Sequence, residues 1–169
     1  MHELRLANLL GACGLAVADR VRDVTAGLNP SSAAAVVVLA AGPVGGTELG
    51  RRVGLTQSAA TRLVDSLVAA GLAARSSRAG RSVLVSLTES GRWVADELLA
   101  ARAEALAGVL SVLPDDERAR LGGLLEKLLA RLYDDIGSAE LMCRLCDRSA
   151  CTSGAVCPVG QAERDRGRG

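Results

Sequence analysis

The chain has 169 residues and a formal net charge of +1, and 49% of its residues are hydrophobic although it holds one Trp, one Tyr and no Phe. A chain of this length is one domain of ordinary size that can bury a core of its own. Because that core must be built from Leu, Val and Ala, the composition favours interlocked helices over a β-sandwich.

The sequence lacks the patterns of a membrane protein, a secreted protein or an enzyme. Its longest apolar run, residues 33–41, is well short of the ~20 residues that span a bilayer, and no secretory apolar segment follows the first five residues. We therefore expect a cytoplasmic protein with no membrane partner. The single histidine, His2, argues against a Ser-His-Asp or Cys-His catalytic set, and there is neither a Walker loop nor a GxGxxG fingerprint.

The first 46 residues predict two helices and a linker. Apolar residues at helical spacing predict a long first helix that ends near Asn29-Pro30. An Ala- and Val-rich second helix, capped by Ser31 or Ser32, should extend to Ala41. Residues 42–46 contain three glycines and a proline, which is typical of a linker.

The next segment predicts two helices joined by a tight turn. Thr47 is expected to cap the first of them, Gly54 to form the turn, and Thr56 to cap the second. The second helix carries an apolar stripe made of Ala60, Leu63, Val64, Leu67 and Val68. Gly71 lies one step past its end, where a left-handed cap is favoured. A helix placed by such a turn is suited to enter a DNA major groove.

Two short strands should follow around an Arg- and Gly-rich tip, because residues 72–75 and 82–87 alternate like half-buried strands. Seven arginines and three carboxylates give residues 47–92 a net charge of +4, in a chain whose net charge is +1. Charge gathered in one segment is typical of a surface for a polyanion. The plain alternative is a small α/β subdomain with a solvated polar helix face, and the charge favours DNA over it.

This segment resembles the winged-helix core of MarR-type bacterial regulators. The resemblance spans Leu4 to Ile136 and is strongest from Glu48 to Gly91. Its residues are Glu48-Leu49, Gly54-Leu55-Thr56-Gln57-Ser58, Thr61-Arg62-Leu63-Val64-Asp65-Ser66-Leu67, Gly71-Leu72, Arg75 and Val83-Leu84-Val85-Ser86-Leu87-Thr88. The resemblance implies a homodimer on pseudo-palindromic double-stranded DNA operators, usually a repressor that a small molecule or an oxidant releases.

The DNA-contacting residues follow from the resemblance together with the polarity of the second helix. We expect major-groove readout by Gln57, Ser58, Thr61 and Arg62. We expect phosphate or minor-groove contacts from Arg75, Arg78 and Arg81, and backbone contacts from Arg51 and Arg52. The wing departs from the family's Asp-x-Arg motif, because Ala79 replaces the Asp that would orient Arg81.

Two more helices are predicted after the wing, over residues 89–113 and from Pro114 onwards. The second has a broad aliphatic stripe made of Leu121, Leu124, Leu125, Leu128, Leu129, Leu132 and Ile136. This stripe packs either against the first helix of the same subunit or against a second copy across a two-fold axis. We favour the dimer, because two modules spaced ~34–36 Å apart read more DNA than one.

The tail carries four cysteines within fifteen residues, spaced Cys-x2-Cys-x4-Cys-x5-Cys and followed by a proline: Cys143, Cys146, Cys151 and Cys157. In a cytoplasmic protein this spacing indicates metal ligation rather than disulfides. Both zinc and an iron–sulfur cluster accept four thiolates, and the Cys-Arg-Leu-Cys spacer with the final Cys-Pro favours the cluster. A thiol–disulfide switch and a disordered tail with incidental thiols are the alternatives. Cys13 is interpreted as a small core residue of the first helix.

We therefore predict a mainly α protein with a small β-hairpin wing, divided into a dimerisation helix (1–30), a winged helix-turn-helix domain (31–88), dimerisation helices (89–137) and a Cys-rich tail (138–169). The predicted function is a homodimeric, sequence-specific DNA-binding repressor whose iron–sulfur site senses redox or iron status. Cluster loss would then reshape the end of the last dimerisation helix. One alternative combines a structural zinc with a small-molecule effector between dimer and winged modules, and another is a protein-interaction module without DNA affinity.

Overall fold

The computed structural model describes residues 2–25, 27–77 and 83–167. The elements in chain order are α1 (His2–Asp23), α2 (Pro30–Ala40), β1 (Val44–Gly45), α3 (Gly46–Val53), α4 (Gln57–Ala69), β2 (Ala73–Ser77), β3 (Val83–Leu87), α5 (Glu89–Leu110), α6 (Asp115–Ile136), α7 (Ala139–Met142), α8 (Arg148–Thr152) and α9 (Pro158–Arg166). The mainly helical class with a small antiparallel sheet is confirmed. None of the described helices is both long and apolar enough to cross a membrane.

Two predicted helix caps are wrong. Asn29, rather than Ser31 or Ser32, caps α2, and its side chain accepts a hydrogen bond from the Ser32 backbone N–H over 2.9 Å. The helix starts earlier because Pro30 has the backbone angle required at a first helical position. Thr47 does not cap α3, which begins at Gly46 with Gly45 as its cap.

The predicted linker contains a strand. Val44 pairs with Val85, and Gly45 with Leu84, so that β1 adds an edge to the hairpin and the sheet has the antiparallel order β1-β3-β2. This pairing is the reason that α3 begins two residues sooner than a Thr47 cap predicts. The chain leaves the sheet at Gly45 and enters the helix directly. The connection between α2 and α3 is therefore fixed to the wing strands.

We call the unit from α2 to β3 the winged domain, and its core is closed within one chain. Side chains of α2, α3, α4, the sheet and the start of α5 form one buried cluster, with Leu49, Leu67, Val36 and Val85 among the largest fully buried members. The start of α5 presses on the chain after α4, because a Cβ at Gly91 would lie 1.9 Å from the Leu72 carbonyl oxygen. Thr88 closes this junction by donating its hydroxyl to the Gly71 carbonyl over 2.7 Å.

The two helices at either end of the resemblance, α1 and α6, lie largely outside that core. No residue of α1 is buried, and Tyr133 is the one buried residue of α6. Their exposed aliphatic side chains are Leu4, Leu6, Leu9, Leu10 and Leu15 on α1 and Leu124, Leu125, Leu128, Leu129, Leu132 and Ile136 on α6. The α6 stripe is thus not covered by the first helix of the same subunit. Cys13 is exposed as well, so its interpretation as a core residue of the subunit is wrong.

Candidate nucleic-acid interface and cysteine site

The reading helix α4 is positioned by the turn before it, as the sequence predicts. Gly54 has a φ of +74°, which a glycine adopts without strain. Thr56 caps the helix, since its hydroxyl accepts from the Ala59 backbone N–H over 3.4 Å. Leu63, Val64 and Leu67 face the core. One side of α4 is therefore fixed, and the opposite side is presented to solvent.

The exposed side of α4 carries the four residues predicted to read bases. Gln57, Ser58, Thr61 and Arg62 are all exposed. The Thr61 hydroxyl donates to the Gln57 carbonyl over 3.0 Å, which holds it against the helix. Arg62 forms no ion pair with any residue that the structure describes. Its guanidinium is available to a base edge or a phosphate.

Arg75 lies beside the reading helix and is held there by a carboxylate. Its guanidinium donates to Asp65 of α4 over 2.6 Å, across the junction of β2 with the helix. Arg75 also lines a groove of about 200 Å³ that α4 shares with the sheet and with Thr47 at the start of α3. Thr47 was predicted only as a cap, and its position in this groove rests on the strand pairing of β1. Arg78 and Arg81 lie outside the described residues.

Arg51 and Arg52, predicted to hold the DNA backbone, are engaged with carboxylates in this structure. Both donate to Glu48, Arg51 over 2.8 Å and Arg52 over 2.7 Å. Hydrogen bonds from Arg51 and then Arg52 lower the pKa of Glu48 to about 2. Arg51 donates in addition to Glu140 of the tail over 2.9 Å. The pKa of Glu140 is lowered as well, chiefly by this hydrogen bond.

The tail is ordered and docks on the winged domain. Glu140 is 89 residues from its partner Arg51 along the chain. Leu141 packs on the turn before α4, where a Cβ at Gly54 would lie 2.9 Å from its Cδ1. Leu145 packs against the core cluster of the winged domain and against a smaller cluster around Leu98. The segment that carries the first two cysteines is therefore packed on the winged domain.

The end of the tail docks on α6 instead. Arg166 of α9 donates to Asp134 over 3.1 Å and places its guanidinium 5.1 Å from the centroid of the Tyr133 ring. Val159, Tyr133 and Ala139 form a buried cluster, against which Cys143 and Cys157 pack. The four cysteines thus lie between a contact with the winged domain and a contact with the long C-terminal helix.

The cysteines form two neighbouring pairs rather than a closed cage. All five cysteines of the chain are free, and no group of three His, Cys, Asp or Glu side chains in the described part of the chain is arranged to hold a metal ion. The Cys143 thiol and the Cys146 thiolate share a hydrogen bond, which is the main reason that the pKa of Cys146 is lowered to about 6 and that of Cys143 is raised. Burial raises the pKa of Cys151, beside Cys157.

Arg102 on α5 lines one cavity together with Cys146 of the first pair. The Nε atom of Arg102 on α5 is buried and has no hydrogen-bond partner among the described residues. Arg102 and Arg148 both lower the pKa of Cys146 after the Cys143 hydrogen bond. The sequence gave one indication that Arg102 faces inward. It lies at helical spacing from Ala95, Leu98 and Ala105, which are all buried.

A family profile described as MarR family matches residues 26–82. Comparison with curated proteins found no match. The sequence range matched by the profile contains the residues assigned above to the turn, to the reading helix and to the first part of the wing.

Solved structures with similar folds are MarR family proteins and a probable transcriptional regulator. A MarR family protein from Bacillus stearothermophilus is 26% identical with a TM-score of 0.67, over 81% of this chain and 96% of that one. A probable transcriptional regulator from Pseudomonas aeruginosa is 32% identical with a TM-score of 0.56, over 73% and 96%. A MarR family protein from Mycobacterium tuberculosis in complex with salicylic acid is 29% identical with a TM-score of 0.57, over 73% and 95%.

Proposed function

Because the chain belongs to the MarR family of DNA-binding transcriptional regulators, and not to a family of enzymes, we propose that it is a homodimeric repressor of pseudo-palindromic operators with an iron–sulfur site at its four tail cysteines. The observation that carries the DNA-binding role is the exposed face of α4, where Arg62 is unpaired within the described chain and Arg75 is held alongside. Its proposed place of action is the cytoplasm.

The dimer is supported by the aliphatic faces of α1 and α6, which the subunit leaves uncovered. Apolar patches of this kind mark contacts with a partner. A second copy of the chain is the partner that suits these faces, because a two-fold axis would place the two reading helices on DNA half-sites ~34–36 Å apart. Each winged domain alone would read too few base pairs for an operator.

The DNA-binding role is tested by fluorescence anisotropy on a random duplex over a series of salt concentrations. Neutralising phosphates releases counterions, so the affinity should fall steeply and linearly on logarithmic axes as salt rises. A protein-interaction module would show no such slope. Absence of salt-dependent binding in apo, zinc-loaded and cluster-loaded protein would overturn the DNA-binding role.

The cluster is supported by the donor set. Cys143 and Cys146 belong to the segment docked on the winged domain, and Cys157 opens the helix docked on α6. The Gly160 backbone N–H already donates to the Cys157 sulfur over 3.4 Å, which holds this sulfur at the start of α9. An iron–sulfur cluster would supply a redox-active centre that the side chains lack. For four-fold ligation the two pairs would have to approach each other.

The tail offers a direct path from such a site to DNA binding. Ligation would fix the spacing of the cysteines and so the placement of Glu140 and Leu141, which contact Arg51 and the turn before the reading helix. This path differs from reshaping the end of α6 alone, because it reaches α3 and α4 within one subunit. The test compares operator affinity of the anaerobically purified protein with that of its apo form. Equal affinities would refute the coupling.

The second candidate is the same regulator with structural zinc and a small-molecule effector. It is favoured by a cavity of about 310 Å³ between α2, α5 and the tail, whose lining includes the apolar residues Val37 and Leu99 and the basic residues Arg52 and Arg148. Salicylic acid, which is bound in the structure of the Mycobacterium tuberculosis protein, is likewise a small organic molecule. The colour of the purified protein decides, since a brown sample with visible absorption means iron–sulfur, and a colourless sample with bound metal means zinc.

A further inference from the structure

One helix, α9, contacts both sides of the joint between α6 and α7. Gly137, with a φ of +68°, ends α6 in a left-handed cap, and α7 begins two residues later. On the α6 side, the Arg166 guanidinium donates to the Asp134 carbonyl oxygen over 3.1 Å. On the α7 side, the Glu163 carboxylate accepts from the Ala139 backbone N–H over 3.3 Å. The side chains of α9 therefore span the joint.

These two contacts satisfy backbone groups that helix ends leave without partners. The last carbonyl groups of α6 and the first N–H groups of α7 have no partner within their own helices. Glu163 and Arg166 are three residues apart, so they lie on one face of α9. A change in the angle between α6 and α7 would have to break one of the two hydrogen bonds.

An apolar contact holds the same three helices together. Val159 of α9, Tyr133 of α6 and Ala139 of α7 form one buried cluster, and none of them is more than 5% exposed. Each is the one buried residue that its helix has. Burial at the joint therefore depends on α9.

The joint lies between the DNA-reading unit and the proposed dimer helix. On one side, α7 is docked on the winged domain, where Glu140 pairs with Arg51 and Leu141 packs on the turn before α4. On the other side, α6 carries the exposed leucine face, and within the described subunit it packs mainly on α9 and α7. The angle at Gly137 thus helps to set where the reading helix α4 lies relative to α6.

We propose that α9 is a clamp on this joint, and that Glu163 and Arg166 are positioning residues that determine which half-site spacing the dimer accepts. The inference rests on the proposed homodimeric DNA-binding function. Inserting one base pair between two half-sites separates them by about 3.4 Å and turns them by about 34–36°. A clamped joint holds both reading helices against such a change, whereas a loose joint lets them follow the half-sites.

The test uses a duplex that wild-type protein selects from a random library, and versions of it with one central base pair inserted or deleted. Wild type should bind the altered duplexes about 100-fold more weakly, because only one reading helix then engages. The double variant Glu163→Ala/Arg166→Ala should bind all three duplexes within a few-fold of one another. The control is Arg164→Ala/Asp165→Ala, which removes the same two charges from side chains whose hydrogen bonds, both with Gln161, stay within α9. It should keep the wild-type preference.

A second variant releases α9 through its apolar contact. Val159→Asp places a carboxylate in the buried cluster and should undock the helix. Val156→Asp adds the same charge at an exposed position of the same segment and is its control. Hydrogen exchange of the DNA-free protein then gives a readout that does not depend on DNA. The amides of residues 137–142 should exchange faster in Val159→Asp, while those of α4 should exchange as in wild type.

All forms are compared as reduced full-length chains in the same metal state. If both α9 variants keep the wild-type spacing preference, the proposal is overturned, whatever the exchange at the joint. Unchanged exchange in Val159→Asp would overturn the clamp itself. If wild-type protein is a monomer or selects no duplex, the proposed function is overturned, and the role of α9 in spacing falls with it.

Discussion

The winged domain and the pair α1 and α6 differ in how complete they are within one chain. The winged domain buries its apolar stripe in its own core, with Leu49 and Leu67 fully buried. The long helices have equally regular stripes, yet their leucines remain exposed. Periodicity therefore predicts which side of a helix will be buried. It does not predict whether that side is buried within the same chain or against another one. Variants in each region should fail in different ways.

The largest effect is expected from a charge in the leucine face of α6. Leu128→Glu should give a monomer, because a carboxylate cannot be buried unpaired in an apolar interface. Loss of the second reading helix should then weaken operator binding by about 10²–10⁴-fold. Sedimentation velocity measures the oligomeric state, and anisotropy measures the affinity. Arg120→Glu is the control, because it places the same carboxylate on an exposed position outside the leucine face. A dimeric Leu128→Glu would contradict the proposed interface.

A methyl group at the junction of α5 with the winged domain should act on the subunit instead. Gly91→Ala places a Cβ 1.9 Å from the Leu72 carbonyl oxygen, and the required backbone shift should lower the free energy of unfolding by about 3 kcal/mol. Gly108→Ala in the same helix meets nothing within 4 Å and should raise it by about 0.5–1 kcal/mol through helix propensity. Urea unfolding at one fixed protein concentration checks both. Equal effects of the two variants would show that the backbone around Gly91 and Leu72 can shift at little cost in stability, contrary to this prediction.

Within the winged domain, Arg62 and Arg75 should separate base reading from phosphate contact. Arg62→Ala should cost about 1–3 kcal/mol on the operator and relax selectivity at one base pair per half-site. Arg75→Ala should weaken all sequences alike and lower the salt slope by about one unit per subunit. Competition binding on operators with single substitutions measures both. If Arg62→Ala reduces affinity for every sequence equally, that residue contacts phosphate.

The smallest effect is expected at the contact between tail and winged domain. Glu140→Gln should destabilise by about 0.2–1 kcal/mol, since the pair with Arg51 is partly solvated. Arg51 lowers the pKa of Glu140, so the stabilisation is complete above the ordinary glutamate pKa and is lost as the pH falls through the lower folded value. The difference in melting temperature from wild type should accordingly vanish in acid. Arg131, paired with Asp135 on α6, is the matched site, and Asp135→Asn should leave the tail contact intact.

The winged helix was predictable because its signals are local. Gly54 and Thr56 fix a turn and a cap within three residues, and the stripe of α4 needs only helical spacing. The strand β1 was missed because two residues carry no periodicity, and its pairing with β3 lies about 40 residues away. The Asn29 cap was missed because Pro30 moved the helix start ahead of the serines.

The candidate site was predictable to a similar degree. Gln57, Ser58, Thr61 and Arg62 lie where the helical pattern places them. The ion pair between Arg51 and Glu140 could not be predicted from the sequence, because the fold alone brings together two charges that are 89 residues apart in the chain. The tail's three short helices were not predicted, because each has nine residues or fewer and depends on tertiary packing for stability.

Leu145 has a thermodynamic consequence, because it joins the tail to the core on which the reading helix is built. Occupants of the two sites then share one free-energy cycle. Whatever factor a metal or cluster imposes on operator affinity, the operator must impose in return on retention of that metal or cluster. A promoter bound by this protein would therefore act as an effector of its metal affinity, so that the operator-bound regulator would hold iron or zinc either more tightly or less tightly than the same molecule free in solution.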